Sequence, residues 1–118
     1  MDFTFSEEQQ MLQQTIRRFI AKDYAFELRR KIKETSAQGF SPDVWRAFAD
    51  LGLLALNVPE ADGGLGGGPV ETMLVMNAMG EGLVLEPFLA SAVLATNAIA
   101  ALANPSQRAS MLPALAAG

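Results

Sequence analysis

The chain contains no cysteine and no histidine. Without cysteine, disulfides, thiolate nucleophiles and Cys-based metal sites are excluded, and the composition suits a reducing compartment. Without histidine, any acid, base or metal ligand must be Asp, Glu, Lys or Tyr, none of which titrates near neutrality unless its surroundings move it. A complete catalytic apparatus is therefore not expected from these residues alone. There is one Tyr and one Trp, and the 50% hydrophobic content is rich in Ala, Leu and Met rather than in the side chains that strands favour. Helix is the expected state, and 118 residues are enough for one domain with a core. The expected fold is all-α, an orthogonal or up-down bundle of about five to six helices filling residues 1–118.

Positive charge is scarce outside one stretch. Seven of the nine basic residues lie between Arg17 and Lys33, and the formal net charge is -4. An acidic overall balance opposes nucleic-acid binding, so the basic run reads as a solvated helix face or a subunit contact. Charge of either sign is missing from Pro87 to Gln107. A membrane span needs about 20 apolar residues. Ser91, Thr96 and Asn97 interrupt this run and much of the rest is alanine, so it reads as a central helix buried by its neighbours. Met1-Asp2-Phe3 lacks the basic-then-apolar order of a secretion signal, so the chain is expected to begin here and the protein to be cytoplasmic.

Helix boundaries are written in the polar residues. Ser6 is placed to cap a first helix, Gln9 completes a capping box, and Glu7 and Glu8 favour the positive end of the dipole. The row Leu12, Ile16, Ile20, Tyr24, Leu28, Ile32 then predicts one helix to about Glu34, with a kink near Asp23, and outer-face pairs Glu27 with Lys31 and Arg30 with Glu34. Ser41-Pro42-Asp43 starts a second helix that Gly52 ends in a left-handed conformation. Residues 53–58 are a short apolar run whose periodicity fits a strand or a buried turn of helix equally. Pro69 opens a third helix, mostly buried because its apolar residues surround it; Pro87 opens a fourth; Asn104-Pro105-Ser106 breaks the chain before a fifth.

Five glycines in eight positions, from Asp62 to Pro69, invite a phosphate-loop reading. No Lys-Ser/Thr pair follows them, Pro69 stands where a dinucleotide fingerprint counted from Gly64 needs glycine, and no basic residue is near in sequence. A structural turn is the better reading. The carboxylate pairs Glu81 with Glu86 and Glu60 with Asp62 come with no nucleophile or partner that would tune an acid or base.

The order of Phe5-Ser6-Glu7-Glu8-Gln9, then Trp45, then Gly52-Leu53-Leu54-Ala55-Leu56-Asn57-Val58-Pro59-Glu60 and Gly63-Gly64-Leu65-Gly66 resembles the amino-terminal domain of acyl-CoA dehydrogenases. Gly68-Pro69-Val70-Glu71-Thr72-Met73 and Leu85-Glu86-Pro87-Phe88-Leu89-Ala90 resemble the branch described as the small subunit of pimeloyl-CoA dehydrogenase. The family's chain is roughly three times longer, with a β domain and a second helical domain that would follow this one. The resemblance implies α,β-dehydrogenation of an acyl-CoA thioester, with FAD as redox cofactor and an electron-transfer flavoprotein as acceptor. It places the flavin and the catalytic glutamate in the later domains, so no catalytic, cofactor-binding or metal residue is expected here. The fourth helix and its approach would wall the deep end of the acyl pocket, through Glu86, Pro87, Ala90, Ser91 and Leu94. The chain by itself is expected to bind no FAD, to be inactive, and to associate into homo- or hetero-oligomers. Two other readings fit the same residues: a helical interaction module without chemistry, and a structural subunit of a dehydrogenase heteromer.

Overall fold

The computed structural model describes residues 1–118. It contains six α-helices and no strand: α1 (Glu7–Asp23), α2 (Phe26–Thr35), α3 (Pro42–Asp50), α4 (Pro69–Glu81), α5 (Thr96–Leu102) and α6 (Pro105–Ala117). A 3-10 turn (Glu60–Asp62) precedes the glycines, and a π-helical segment (Leu89–Ala95) runs without a break into α5.

The starts of α1, α3 and α6 are fixed by side-chain capping hydrogen bonds. Ser6 Oγ accepts from the Gln9 amide at 3.2 Å and Gln9 Oε1 accepts from the Ser6 amide at 2.9 Å, which is the capping box predicted for α1. Ser41 caps α3 through the Val44 amide with Pro42 in the first turn, and Asn104 and Gln107 build a second capping box at α6. Gly52 stops the α3 segment at φ 78°, in the left-handed region that glycine enters without steric cost.

The single first helix expected to reach Glu34 is two helices. Tyr24 leaves helical geometry at φ -135°, Ala25 is extended, and α2 restarts at Phe26. Burial explains the break, because the turn carries Tyr24 inward until only 2% of it is exposed. The predicted ion pairs on α2 also differ: Arg30 meets Glu27 at 2.9 Å, three residues back. Residues 53–58 form a chain of turns, neither strand nor helix, that buries Leu53, Leu54, Leu56 and Val58.

Packing follows from these turns. α1 lies along α4, and α6 covers α5, α3 and the 3-10 turn. Ile16, Ile32, Phe48, Leu54, Val75, Met79 and Phe88 belong to one core cluster, and Phe19, Phe48, Trp45 and Phe40 continue it as edge-to-face pairs with centroids 5.7 to 6.4 Å apart. The domain is a slab of 42 × 41 × 19 Å. Such thinness leaves one face of several apolar helices uncovered. The third predicted helix, α4, buries Leu74, Val75, Ala78 and Met79, yet Met73 remains 51% exposed on its other side. Likewise the uncharged run is not the buried central helix that its composition predicts: Ala92 and Thr96 are buried while Leu94 and Leu102 face outward. No helix is long and apolar enough to cross a membrane.

Candidate functional site

Residues 82–88 cross from α4 to the π-helical segment, and three helices pin this crossing at successive points. Leu83 has φ 51°, the only non-glycine residue in the left-handed region, and its carbonyl accepts from Arg29 Nε at 2.7 Å. The Leu85 amide donates to the Tyr24 hydroxyl at 3.0 Å. Glu86 Oε2 accepts from the Ser41 amide at 2.8 Å. Gly82 permits the close approach to α1, where a Cβ would stand 2.6 Å from Ile20 Cγ2. Burial pushes the Tyr24 hydroxyl up to about 12; the Leu85 amide opposes that shift and the Glu86 carboxylate adds to it.

This pinned crossing forms one end of a groove of about 420 Å³ between α4 and the π-helical segment. Met76, Met79, Leu83, Val84, Phe88 and Leu89 make most of its wall apolar. Of the five residues expected to wall an acyl pocket, the groove brings together Glu86, Pro87, Ala90 and Leu94. Ser91 lies on the opposite side of the helix, in a separate depression of about 450 Å³ with Trp45, Ile99, Met111 and Leu115. Glu86 is 5% exposed, and its Oε1 is buried without a hydrogen-bond partner.

The π-helical register is itself held in place. The Thr96 amide donates to the Ser91 carbonyl five residues back, and Thr96 Oγ1 donates to the same oxygen at 3.0 Å. Asn57 Nδ2 donates to the Ala92 carbonyl at 3.2 Å and Asn57 Oδ1 accepts from Thr72 Oγ1 at 3.0 Å. A single buried amide thus ties the turn region, the π-helical segment and α4 together. π-helical turns recur at functional sites because they re-aim side chains that an α-helix would place elsewhere. Tyr24, Arg29 and Asn57 were not legible as site-building residues. The one available signal was a polar residue, Asn57, inside an apolar run, since a buried polar group requires partners.

The glycine segment is a packing device. Its amides from Gly63 to Gly67 donate to the carbonyls of Glu60, Pro59, Ala55, Val58 and Leu56 in turn, and the Gly68 amide donates to Glu71 Oε2. A Cβ on Gly64 would stand 2.0 Å from the Val58 carbonyl oxygen, and one on Gly67 would stand 2.9 Å from Leu56. Those donors are committed within the chain and form no cradle for a phosphate. One member of each carboxylate pair is held by an arginine: Glu81 pairs with Arg17 at 3.0 Å, and Asp62 pairs with Arg108. No group of His, Cys, Asp and Glu is arranged to hold a metal ion.

Residues 6–118 match the model of the family described as acyl-CoA dehydrogenase, N-terminal domain. The chain belongs to the acyl-CoA dehydrogenase family. Its all-helical fold agrees with that amino-terminal domain. Similar proteins include acyl-CoA dehydrogenase FadE27 of Mycobacterium tuberculosis, 34% identical over 89% of this chain and 28% of the relative. Acyl-CoA dehydrogenase IpdE2 of the same organism is 34% identical over 87% of this chain and 32% of its own length. Mitochondrial isovaleryl-CoA dehydrogenase of Bos taurus is 30% identical over 96% of this chain and 27% of its own length. The chain therefore spans about 30% of the length of these acyl-CoA dehydrogenases. None of these three names singles out the small-subunit branch expected from residues 68–73 and 85–90. No solved structure matches the chain significantly.

Proposed function

We propose that this chain is the N-terminal domain of an FAD-dependent acyl-CoA dehydrogenase and that its groove walls the far end of the acyl pocket. The observation that carries the reading is the juxtaposition of Glu86, Pro87, Ala90 and Leu94 on an apolar groove whose approach is pinned by Tyr24, Arg29 and Ser41. An apolar concavity with few polar groups is what an alkyl chain requires. The pinning supplies the rigidity that positions it.

The glycine segment and Arg108 offer the flavin no phosphate site. The glycine amides have acceptors of their own, and the one basic side chain beyond Arg46, Arg108, is held by Asp62 and the Ala100 carbonyl. On the family resemblance, FAD, the catalytic carboxylate and the contact with an electron-transfer flavoprotein are assigned to the complete enzyme. This domain contributes acyl-pocket walls and contacts to the other domains. Its exposed apolar rim favours a homo- or hetero-oligomeric setting.

The test is to purify the complete polypeptide that contains this domain beside the 118-residue chain. The complete protein should be yellow and its flavin absorbance should bleach on anaerobic addition of an acyl-CoA, while the short chain should be colourless. A complete protein that binds no flavin, or whose flavin no acyl-CoA reduces, would leave a helical interaction module as the answer.

A further inference from the structure

An α-helix would give the Thr96 amide to the Ala92 carbonyl, four residues back. Here that amide passes Ala92 by and donates to the Ser91 and Val93 carbonyls, and Thr96 Oγ1 adds a second bond to Ser91 at 3.0 Å. The Ala92 carbonyl thus loses the donor that an α-helix supplies, on a residue only 2% exposed, where an unmet acceptor is costly. Asn57 Nδ2 meets it at 3.2 Å from outside the helix. Only one orientation of the amide serves, because the carbonyl needs a donor, and Thr72 Oγ1 holds that orientation by donating to Asn57 Oδ1 at 3.0 Å. Burial alone would be served by an apolar side chain at this position, like its neighbours Leu56 and Val58.

The register determines which side chains reach the groove. Ala90 and Leu94 line it, four residues apart, while Ser91 turns to the opposite depression. The segment is anchored at both ends, by the crossing pinned at Leu83, Leu85 and Glu86 and by the packing of α5 on α6. Between those anchors, a return to the α register takes one residue out of the turn, so the groove would be lined by Ser91 with Leu94 or by Ala90 with Val93. We infer that Asn57 and Thr96 are positioning residues for acyl selection: by holding the π register they set which side chains meet the acyl chain, and so the chain length that the groove accepts. The inference rests on the groove being the acyl pocket proposed above. Neither residue lines the groove itself, so both act through the helix that they hold.

The test uses the complete dehydrogenase and a series of saturated acyl-CoAs from butyryl-CoA to palmitoyl-CoA, with kcat/KM measured beside the melting temperature of each variant. Thr96→Val keeps the side-chain volume and removes the hydroxyl bond to Ser91, whereas Thr96→Ser keeps that bond and removes a buried methyl. Thr96→Val should change the ratio of long-chain to short-chain kcat/KM by about fivefold or more. Thr96→Ser should lower the melting temperature yet leave that ratio within about twofold of the wild type. Asn57→Asp still accepts from Thr72 but turns an acceptor towards the Ala92 carbonyl, and should move the ratio in the same direction as Thr96→Val. Should Asn57→Asp fail to fold, the two Thr96 variants carry the test. A ratio unchanged in Thr96→Val or in folded Asn57→Asp, or one that follows the melting temperature across both Thr96 variants, overturns the inference while the acyl-pocket assignment stands. Oxidation of no acyl-CoA by the wild type overturns both.

Discussion

The Tyr24 hydroxyl accepts the Leu85 amide at 3.0 Å, joining the end of α1 to the crossing that leads into the groove. Burial is the main reason that this hydroxyl titrates near 12 rather than at its ordinary 10.0. The folded-state value is raised, so the corresponding stability is fully present below pH 10 and is lost as pH rises towards about 12. Denaturant titrations of the wild type should show stability falling across that window. Tyr24→Phe should be less stable at neutral pH by about 1–3 kcal/mol, because it leaves the Leu85 amide unmet, and its stability should fall less with alkali. Equal alkaline slopes for the two proteins would show that Tyr24 is not the group responsible.

Two glycines offer opposite outcomes for the same substitution. Gly64→Ala drives a Cβ to 2.0 Å from the Val58 carbonyl oxygen and should destabilise the chain by about 3 kcal/mol. Gly80→Ala meets nothing within 4 Å inside α4 and should stabilise it by about 0.5–1 kcal/mol. Urea midpoints compare them directly, and similar losses from both would mean that the packing at Gly64 is not as tight as described.

Ala90 is exposed on the groove. Ala90→Phe should therefore leave the melting temperature nearly unchanged while filling the space that a long acyl chain needs. In the complete enzyme, kcat/KM for long acyl-CoAs should fall by about tenfold or more, with short chains affected less. Loss of activity on every chain length, together with a lower melting temperature, would identify Ala90 as an ordinary packing position.

Surface area points to association. The chain exposes 7283 Å². A compact monomer of this mass exposes about 6,200 Å². The surplus includes Met73, Leu83, Leu89 and Leu94, all at least 48% exposed. Light scattering across a dilution series should find a dimer or larger assembly, and Leu94→Glu should shift it towards monomer. A strict monomer at high concentration would remove the prediction.

Where the chemistry was local, the sequence announced the structure: Ser6 with Gln9, Ser41 with Pro42, and Gly52 all act where their neighbours place them. The family wording of residues 52–66 also led to the correct fold. What it could not announce depends on distant partners. Tyr24 lies in a continuous helical pattern, and only its burial against the crossing near Leu85 breaks α1 from α2. The π-helical register of residues 89–95 answers to Thr96 and to Asn57, which lies 35 residues from the Ala92 carbonyl it holds. The candidate site was partly legible for the same reason: Glu86, Pro87, Ala90 and Leu94 share a groove, but Ser91 turns away with the helix.

A slab 19 Å thick is about two helices deep. No backbone amide in it is farther from water than one helix, so its slowest-exchanging protons should cluster where α1 crosses α4, with α5 and α6 exchanging by small local openings. Anything that rests against the broad faces binds only the closed form and raises protection everywhere beneath it by mass action. The exchange pattern of this domain would then record the company it keeps as much as the strength of its own core.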